Sequence, residues 1–277
     1  DIRMVRLCLG MAGPFLYKTH HQTKCVSPIV NGQFCSAISS MNYSADLSAI
    51  NWLKIGEQPV TKGQIFRVAN ALPNVFEAYT ALLPAVGHIE GFPFDQVNLK
   101  NGSIAQLNEN AAIWSKYGIH DAHRTPSYDP TSFRELANQF NLPYDVTLLN
   151  KLGWGKRGFA VDWIRTANSF RSLANVLAAA SPLSLYIEDY WRWGEGLNIL
   201  PSADDVLYDV TTDEFVEFMT QSFFDASLYL FPEDKSWCLV NVEDCSVTVI
   251  GTDKATAVRI SETYPLETMP LLHGSPM

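Results

Sequence analysis

The strongest constraint on the fold lies in residues 223–260, where three short apolar runs are separated by two polar turns. The runs occupy residues 227–231, 237–242 and 247–250. Runs of β-branched and aromatic residues between turn residues predict an antiparallel meander. In the last run Val247 and Val249 share one face, and the opposite face is half apolar. We therefore expect helices to cover at least one face of this sheet.

Helical patterns dominate the chain before the meander. Ser103 with Gln106, and Thr211 with Glu214, match the capping box that opens a helix. Further helices are predicted at residues 44–55, 63–83, 129–140, 143–152 and 159–180, residues 253–262 are predicted to be a helix or a strand, and residues 204–208 are predicted to be a connector. In the 63–83 segment, Pro73 predicts either a kink or two helices that meet there. The predicted fold class is α+β, helix-rich, with an antiparallel sheet built mainly from the C-terminal meander.

The length and composition predict one compact domain. The chain has 277 residues, of which 47% are hydrophobic, and this is enough for a substantial core. We interpret Met4 as the native start, so the domain is expected to cover residues 4–277, with a lobe boundary near 118–130. No apolar run approaches the length that spans a bilayer.

The cysteines favour a reducing compartment. Their number is five, which is odd, and no spacing suggests a disulfide framework. We therefore expect reduced, mostly buried thiols and a cytoplasmic location. Cys238 and Cys245 lie close together in the meander, so a bridge between them is left open as an alternative.

The charge excludes some classes of partner. The formal net charge is −9 and the pI is near 5.1. A protein that binds nucleic acid or an anionic membrane needs a basic patch, so we expect neither partner. A basic protein partner is compatible with this charge, because complementary fields steer association.

The histidines offer one candidate for chemistry. His120 and His123 enclose Asp121 in an H-x-x-H pattern, which would suit a metal-assisted hydrolase. The alternative is a loop whose histidines bond to backbone or solvent. No G-x-S-x-G motif or phosphate-binding loop occurs. We predict no catalytic residue, no metal and no cofactor, and we keep the hydrolase as the second hypothesis.

Residues 186–195 have the most unusual composition, with carboxylates among tyrosines and tryptophans. Exposed aromatic side chains can anchor an interface, and carboxylates can pair with Arg or Lys of a basic partner. The candidate partner-binding residues are Glu188, Asp189, Tyr190, Trp191, Trp193 and Glu195. The alternative places the aromatic side chains in the core and the acids in water. A small-ligand pocket among the aromatic residues of the chain is a third hypothesis.

Residues 228–251 read LYLFPEDKSWCLVNVEDCSVTVIG. This pattern resembles the C-terminal sheet segment of immunity proteins from bacterial polymorphic and contact-dependent toxin systems. The matched positions are Trp237, Asp244 and Gly251, which the resemblance implies are structural. It also implies a cytosolic, non-enzymatic inhibitor that binds and neutralises a toxin domain. From the residues themselves, we expect Trp237 to be buried between the meander and the helix at 211–224.

Overall fold

The computed structural model describes residues 41–44, 46–54, 65–97, 103–118, 128–152, 158–179, 182–188, 205–222, 227–243 and 245–277. Within them, seven α-helices accompany an antiparallel sheet of eight strands and a smaller sheet of three, which confirms the α+β class. Of the described residues, 37% are helical and 25% lie in strands, so "helix-rich" somewhat overstates the helices.

The strands are β1 (Asn42–Ser44), β2 (Ala78–Leu82), β3 (Val86–His88), β4 (Asp129–Thr131), β5 (Phe159–Val161), β6 (Leu183–Ile187), β7 (Val206–Val210), β8 (Leu228–Phe231), β9 (Cys238–Asn241), β10 (Thr248–Thr252) and β11 (Thr268–Leu271). The α-helices are α1 (Val68–Ala71), α2 (Ile104–Lys116), α3 (Phe133–Phe140), α4 (Leu148–Leu152), α5 (Trp163–Val176), α6 (Thr212–Ser222) and α7 (Lys254–Thr263), and Leu47–Ile50 form one 3-10 helix.

The predicted meander forms the centre of the large sheet. The strand order is β1-β7-β6-β8-β9-β10-β2-β11, and all neighbours are antiparallel. Every residue of β8, β9 and β10 is buried. A sheet buried on both faces needs cover on both sides, which explains why these runs are apolar almost throughout.

Helices cover one face of the meander and aromatic side chains cover the other. Leu239 and Ile250 belong to one apolar cluster with Phe170 of α5, Phe215 of α6 and Ile260 of α7. On the opposite face, the ring of Phe231 lies edge-on to Trp52, with ring centroids 5.3 Å apart. The expected cover of at least one face is therefore found.

Trp237 is buried, as predicted. Only 5% of its surface is exposed, and it belongs to the same cluster as Phe215 and Phe218 of α6. The capping box that opens α6 is present, since Thr211 N donates to Glu214 Oε2 at 2.7 Å and Glu214 N donates to Thr211 Oγ1 at 3.2 Å. The cap therefore sets the residue at which α6 begins, and the apolar cluster packs α6 against the large sheet.

The helix prediction for residues 63–83 is correct only for Val68–Ala71. The segment forms the short helix α1, and Pro73 follows directly after its C-cap residue Leu72. The chain then enters β2, which bonds to β10 on one side and to β11 on the other. A strand buried on both faces has no polar alternation, so its pattern resembles that of a buried helix.

Three more segments that were predicted as helix or connector contain strands. Asp129 and Pro130 belong to β4, and α3 starts later, behind the Ser132 cap. Residues 204–208, predicted as a connector, include most of β7, which pairs with β1 and β6. The long helix predicted from residue 159 is β5 followed by α5. Partner strands distant in sequence decide each of these cases.

Two smaller predictions were also only partly right. The helix expected at 44–55 is the short 3-10 helix, capped by Asp46. Helix α2 does follow the Ser103 cap, and the apolar spacing predicts that Ile104, Leu107, Ala111 and Trp114 form its buried face. Of these only Trp114 is buried, together with Asn110, whereas Ile104 is 79% exposed and Leu107 is 49% exposed. Packing rather than periodicity decides which face of this helix is buried.

The chain divides into two compact units. One contains Ala85–Tyr144 and Leu148–Asp162, and it includes the small sheet, in the order β4-β3-β5. The other contains the described residues from Met41 to Pro84, Asp145–Thr147 and Trp163–Met277, and it includes the large sheet. The single domain over 4–277, lobed near 118–130, stays a prediction, because compact units need not fold independently.

None of the helices in the described residues combines the length and the apolar character that crossing a membrane would require.

Candidate partner-binding surface

The large sheet collects carboxylates at one of its ends. Glu188 directly follows β6 and Asp205 directly precedes β7, and the last pair between these strands is Ile187 with Val206. Glu243 lies two residues beyond β9 at the same end. We call this end, defined by Glu188, Asp205 and Glu243, the acidic end of the sheet.

Hydrogen bonds hold the acidic end together. Glu188 N donates to the carbonyl oxygen of Ser227 at 2.9 Å, and Glu243 N donates to Ser227 Oγ at 3.1 Å. The Tyr186 hydroxyl donates to Asp205 Oδ2 at 2.9 Å. Because Ser227 precedes β8, it links the chain after β6 to the chain after β9. The hydrogen bonds between the strands and those to Ser227 therefore fix the backbone positions of the three acids.

The charges differ between the two ends of the sheet. Glu267, just before β11, adds a fourth carboxylate at the acidic end, where Leu83 N donates to its carbonyl oxygen at 3.0 Å. The described residues directly flanking these strand ends include no lysine or arginine. The flanking residues at the opposite end carry both signs, namely Glu77, Glu233, Asp234, Lys235, Asp253 and Lys254. Among the described residues, this end of the sheet is therefore uniformly acidic.

Tyr186 belongs to the core rather than to a surface. It is buried, and its ring lies 5.6 Å from that of Tyr229, centroid to centroid, with an angle of 33° between the planes. At Tyr186, the first residue of the 186–195 stretch, the alternative that places aromatic side chains in the core is therefore correct. Glu188, which follows, is half-buried at the rim.

Most of the predicted site lies outside the described residues. Of the six predicted partner-binding residues, the structure describes Glu188, while Asp189, Tyr190, Trp191, Trp193 and Glu195 fall in the undescribed range 189–204. The strands on either side of this range, β6 and β7, end and begin at the acidic end.

The candidate hydrolase residues His120, Asp121 and His123 also lie outside the described residues. Within the part of the chain that the structure describes, no group of three or more His, Cys, Asp or Glu side chains is arranged to hold a metal ion. Cys238 and Cys245 are both free thiols, so the bridge left open between them does not form. Burial raises the pKa of the Cys238 thiol well above its ordinary value.

A very small pocket, whose position the sequence did not predict, lies beside the acidic end. It offers about 10 Å³ of space to a water-sized molecule, and it is lined by Leu82, Pro84, Trp163, Thr166, Phe170, Asn241, Cys245, Ser246, Val247, Thr248 and Tyr264. Its residues come from strands, turns and helices far apart in sequence. No local spacing could have indicated it.

No protein-family model, no curated protein and no solved structure gives a significant match to this chain.

Proposed function

We propose that this protein is a cytoplasmic, non-enzymatic binding protein that neutralises a basic toxin domain, in the manner of a bacterial immunity protein. The observation that carries the proposal is the acidic end of the large sheet, where Glu188, Asp205 and Glu243 lie together. The net charge of −9 adds a long-range field of the same sign.

The acidic end suits a basic protein for physical reasons. Carboxylates form short, charge-assisted hydrogen bonds with Arg and Lys, and Arg can bind both oxygens of one carboxylate. The bonds through Ser227 fix the backbone at Glu188 and Glu243, so less ordering is needed on binding. Asp189, Tyr190, Trp191, Trp193 and Glu195 directly follow Glu188 in sequence. We propose that they add aromatic anchors to this acidic surface.

Binding can be tested with the product of the adjacent gene, since the resemblance to immunity proteins implies that a toxin partner is encoded nearby. We expect co-purification of the two proteins and a loss of toxin activity in the complex. The association rate should fall steeply between low and high salt, because complementary charges accelerate the encounter. A complex that shows no salt dependence would contradict an electrostatic docking surface.

A matched pair of double variants locates the surface. Glu188→Gln with Glu243→Gln removes two charges at the acidic end, and we expect a loss of about 1 kcal/mol, roughly a fivefold weaker Kd. Glu77→Gln with Glu233→Gln removes the same charge from the opposite end and serves as the control. Equal effects of both double variants would show that only net charge matters. The melting temperature of each variant checks that the fold is intact.

The aromatic anchors need their own variants. We expect Trp191→Ala or Trp193→Ala to weaken the complex more than the charge variants do, since tryptophan dominates most interface energetics. If a tight complex forms with all of these variants unchanged, the partner binds elsewhere. The surface assignment would then be wrong, even if the inhibitor function is right.

A further inference from the structure

Ser246 has a buried hydroxyl group that no other group of the described chain satisfies. The residue lies in the turn between β9 and β10 and is only 2% exposed. Its Oγ atom has no hydrogen-bond partner among the described residues. Buried hydroxyl groups are nearly always paired, because an unpaired one has given up its bonds to water without replacing them. The turn therefore requires a further partner for this atom.

The space beside Ser246 has the size of one water molecule. Ser246 lines the very small pocket, which offers about 10 Å³ to a water-sized molecule. A cavity needs roughly 10–15 Å³, measured in this way, to hold one water. An organic ligand of several heavy atoms does not fit, so the missing partner is either a single water or a monatomic ion.

The lining favours a neutral partner over an ion. No charged residue is among the described residues that line the pocket. An ion that enters it loses its hydration and meets no opposite charge, which is strongly unfavourable. Burial raises the pKa of the Tyr264 phenol, so this lining residue also stays neutral at physiological pH. A water molecule does not incur this penalty.

The lining also supplies the polar partners that a buried water needs, which number two to four. Besides Ser246, both Asn241 and Thr248 line the pocket, and Thr248 Oγ1 donates to Asn241 Oδ1 at 3.2 Å. A hydroxyl oxygen that donates one bond keeps lone pairs with which it can accept another. Asn241 ends β9 and Thr248 begins β10, so these groups stand at the two ends of the turn that contains Ser246.

We propose that the very small pocket binds a single structural water molecule, which is the hydrogen-bond partner of Ser246 Oγ and links it to the Asn241–Thr248 pair. The water thereby braces the turn between β9 and β10. Trp163 and Cys245 are the half-exposed residues of the lining, so they mark the route by which the water exchanges with solvent. The site does not depend on the proposed toxin partner, since none of the three acids that define the acidic end lines it.

A high-resolution crystal structure of the full chain tests the site directly. We expect one ordered water within hydrogen-bonding distance of Ser246 Oγ and of Asn241 or Thr248. In solution, NMR cross-relaxation should connect a long-lived water with the methyl protons of Val247, which lines the same pocket. An empty pocket, a bound ion, or a direct bond from Ser246 Oγ to another group of the chain would overturn the proposal.

Substitutions of Ser246 test whether its hydroxyl is paired. Removing an unpaired buried hydroxyl leaves stability unchanged or raises it, whereas removing a paired one lowers it. We therefore expect Ser246→Ala to lower the urea midpoint of unfolding. Ser261→Ala, which removes an exposed hydroxyl on α7, is the control and should leave the midpoint unchanged. A midpoint for Ser246→Ala at or above that of wild type would overturn the proposal.

Ser246→Cys separates hydrogen bonding from the filling of space. It keeps a heavy atom at the γ position, but a thiol is only a weak hydrogen-bond donor and acceptor. We expect the urea midpoint of Ser246→Cys to fall below that of wild type, as for Ser246→Ala. If Ser246→Cys is as stable as wild type, the side chain contributes by packing alone and the proposed water is not its partner.

Discussion

Gly251 of β10 lies directly against the ring of Phe76. A Cβ atom added at Gly251 would come within 2.3 Å of Phe76 Cδ2 and within 2.7 Å of its Cγ atom. Real Cβ atoms do not approach other atoms so closely. The ring of Phe76 in turn stands edge-on to Trp52 and Tyr79. It is therefore held by neighbours on two sides.

This contact predicts that Gly251→Ala destabilises the protein by about 1–3 kcal/mol, because overpacking forces side chains and backbone to shift. Urea denaturation of wild type and variant measures the difference. Gly274→Ala is the matched control, since no atom lies within 4 Å of a Cβ added there. If the two variants have the same stability, Phe76 moves aside at little cost.

Trp237→Ala should cost about 3–5 kcal/mol, because it leaves a large cavity between the meander and the helices that cover it. This is a large fraction of the stability of an ordinary domain. Val258→Ala, at a 54% exposed site on α7, is the control and should change stability by less than about 0.5 kcal/mol. An unchanged melting temperature with lost partner binding would instead identify Trp237 as an interface residue.

The Asp253 cap of α7 predicts a dependence of stability on pH. Its side chain accepts bonds from Thr256 N at 2.9 Å and Thr256 Oγ1 at 2.6 Å, and these bonds hold the pKa of Asp253 below its ordinary value of 3.8. A carboxyl group with a lowered pKa stabilises the fold at pH values above the ordinary one. This contribution is lost as the pH falls below 3.8 towards the folded-state value.

We therefore expect Asp253→Ala to cost about 1 kcal/mol at neutral pH, and less in acid. Asp253→Asn retains a capping oxygen but cannot ionise, so its difference from wild type should shrink as the pH falls. Chemical denaturation at a series of pH values measures both variants. Differences that do not change with pH would show that the charge of Asp253 contributes nothing to folding.

The two described cysteines should differ strongly in reactivity. Cys245 is half-exposed, whereas Cys238 is fully buried and burial raises its pKa well above the ordinary value. Since the thiolate is the nucleophile, iodoacetamide should modify Cys245 in the native protein and Cys238 only after unfolding. Mass spectrometry of peptides resolves the two sites. Rapid labelling of Cys238 in native conditions would mean that the centre of the sheet opens.

How far the sequence predicts the fold depends on how local the interactions are. The caps at Ser103 and Thr211 were correctly predicted, because a cap joins residues three positions apart. The meander was predicted because its strands are consecutive and its turns are short. By contrast, the apolar face predicted for α2 was mostly wrong, since Ile104 and Leu107 are exposed and only Trp114 of that face is buried. Which face a helix buries depends on elements elsewhere in the chain.

The candidate site was less accessible to sequence reasoning. Composition drew attention to Glu188 and the residues after it, but not to Glu243, which joins Glu188 only through Ser227 and the pairing of β6, β8 and β9. Asp205 was overlooked because it lies in the segment 204–208, which was predicted as a connector although β7 begins within it. When a strand is missed in this way, the residues that its end positions are missed too.

The sequence by itself therefore determined the α+β class, the three central strands and the helix starts at Ser103 and Thr211, since these depend on neighbouring residues and on the alternation of side chains. Only the tertiary structure decided that residues 78–82 and 206–210 are strands, and that Ser246 and Tyr264 line one pocket. The physical reason is that ladder bonds and cavities are made by groups distant in the chain. A short segment of sequence therefore does not reveal how much these interactions contribute to the free energy of folding.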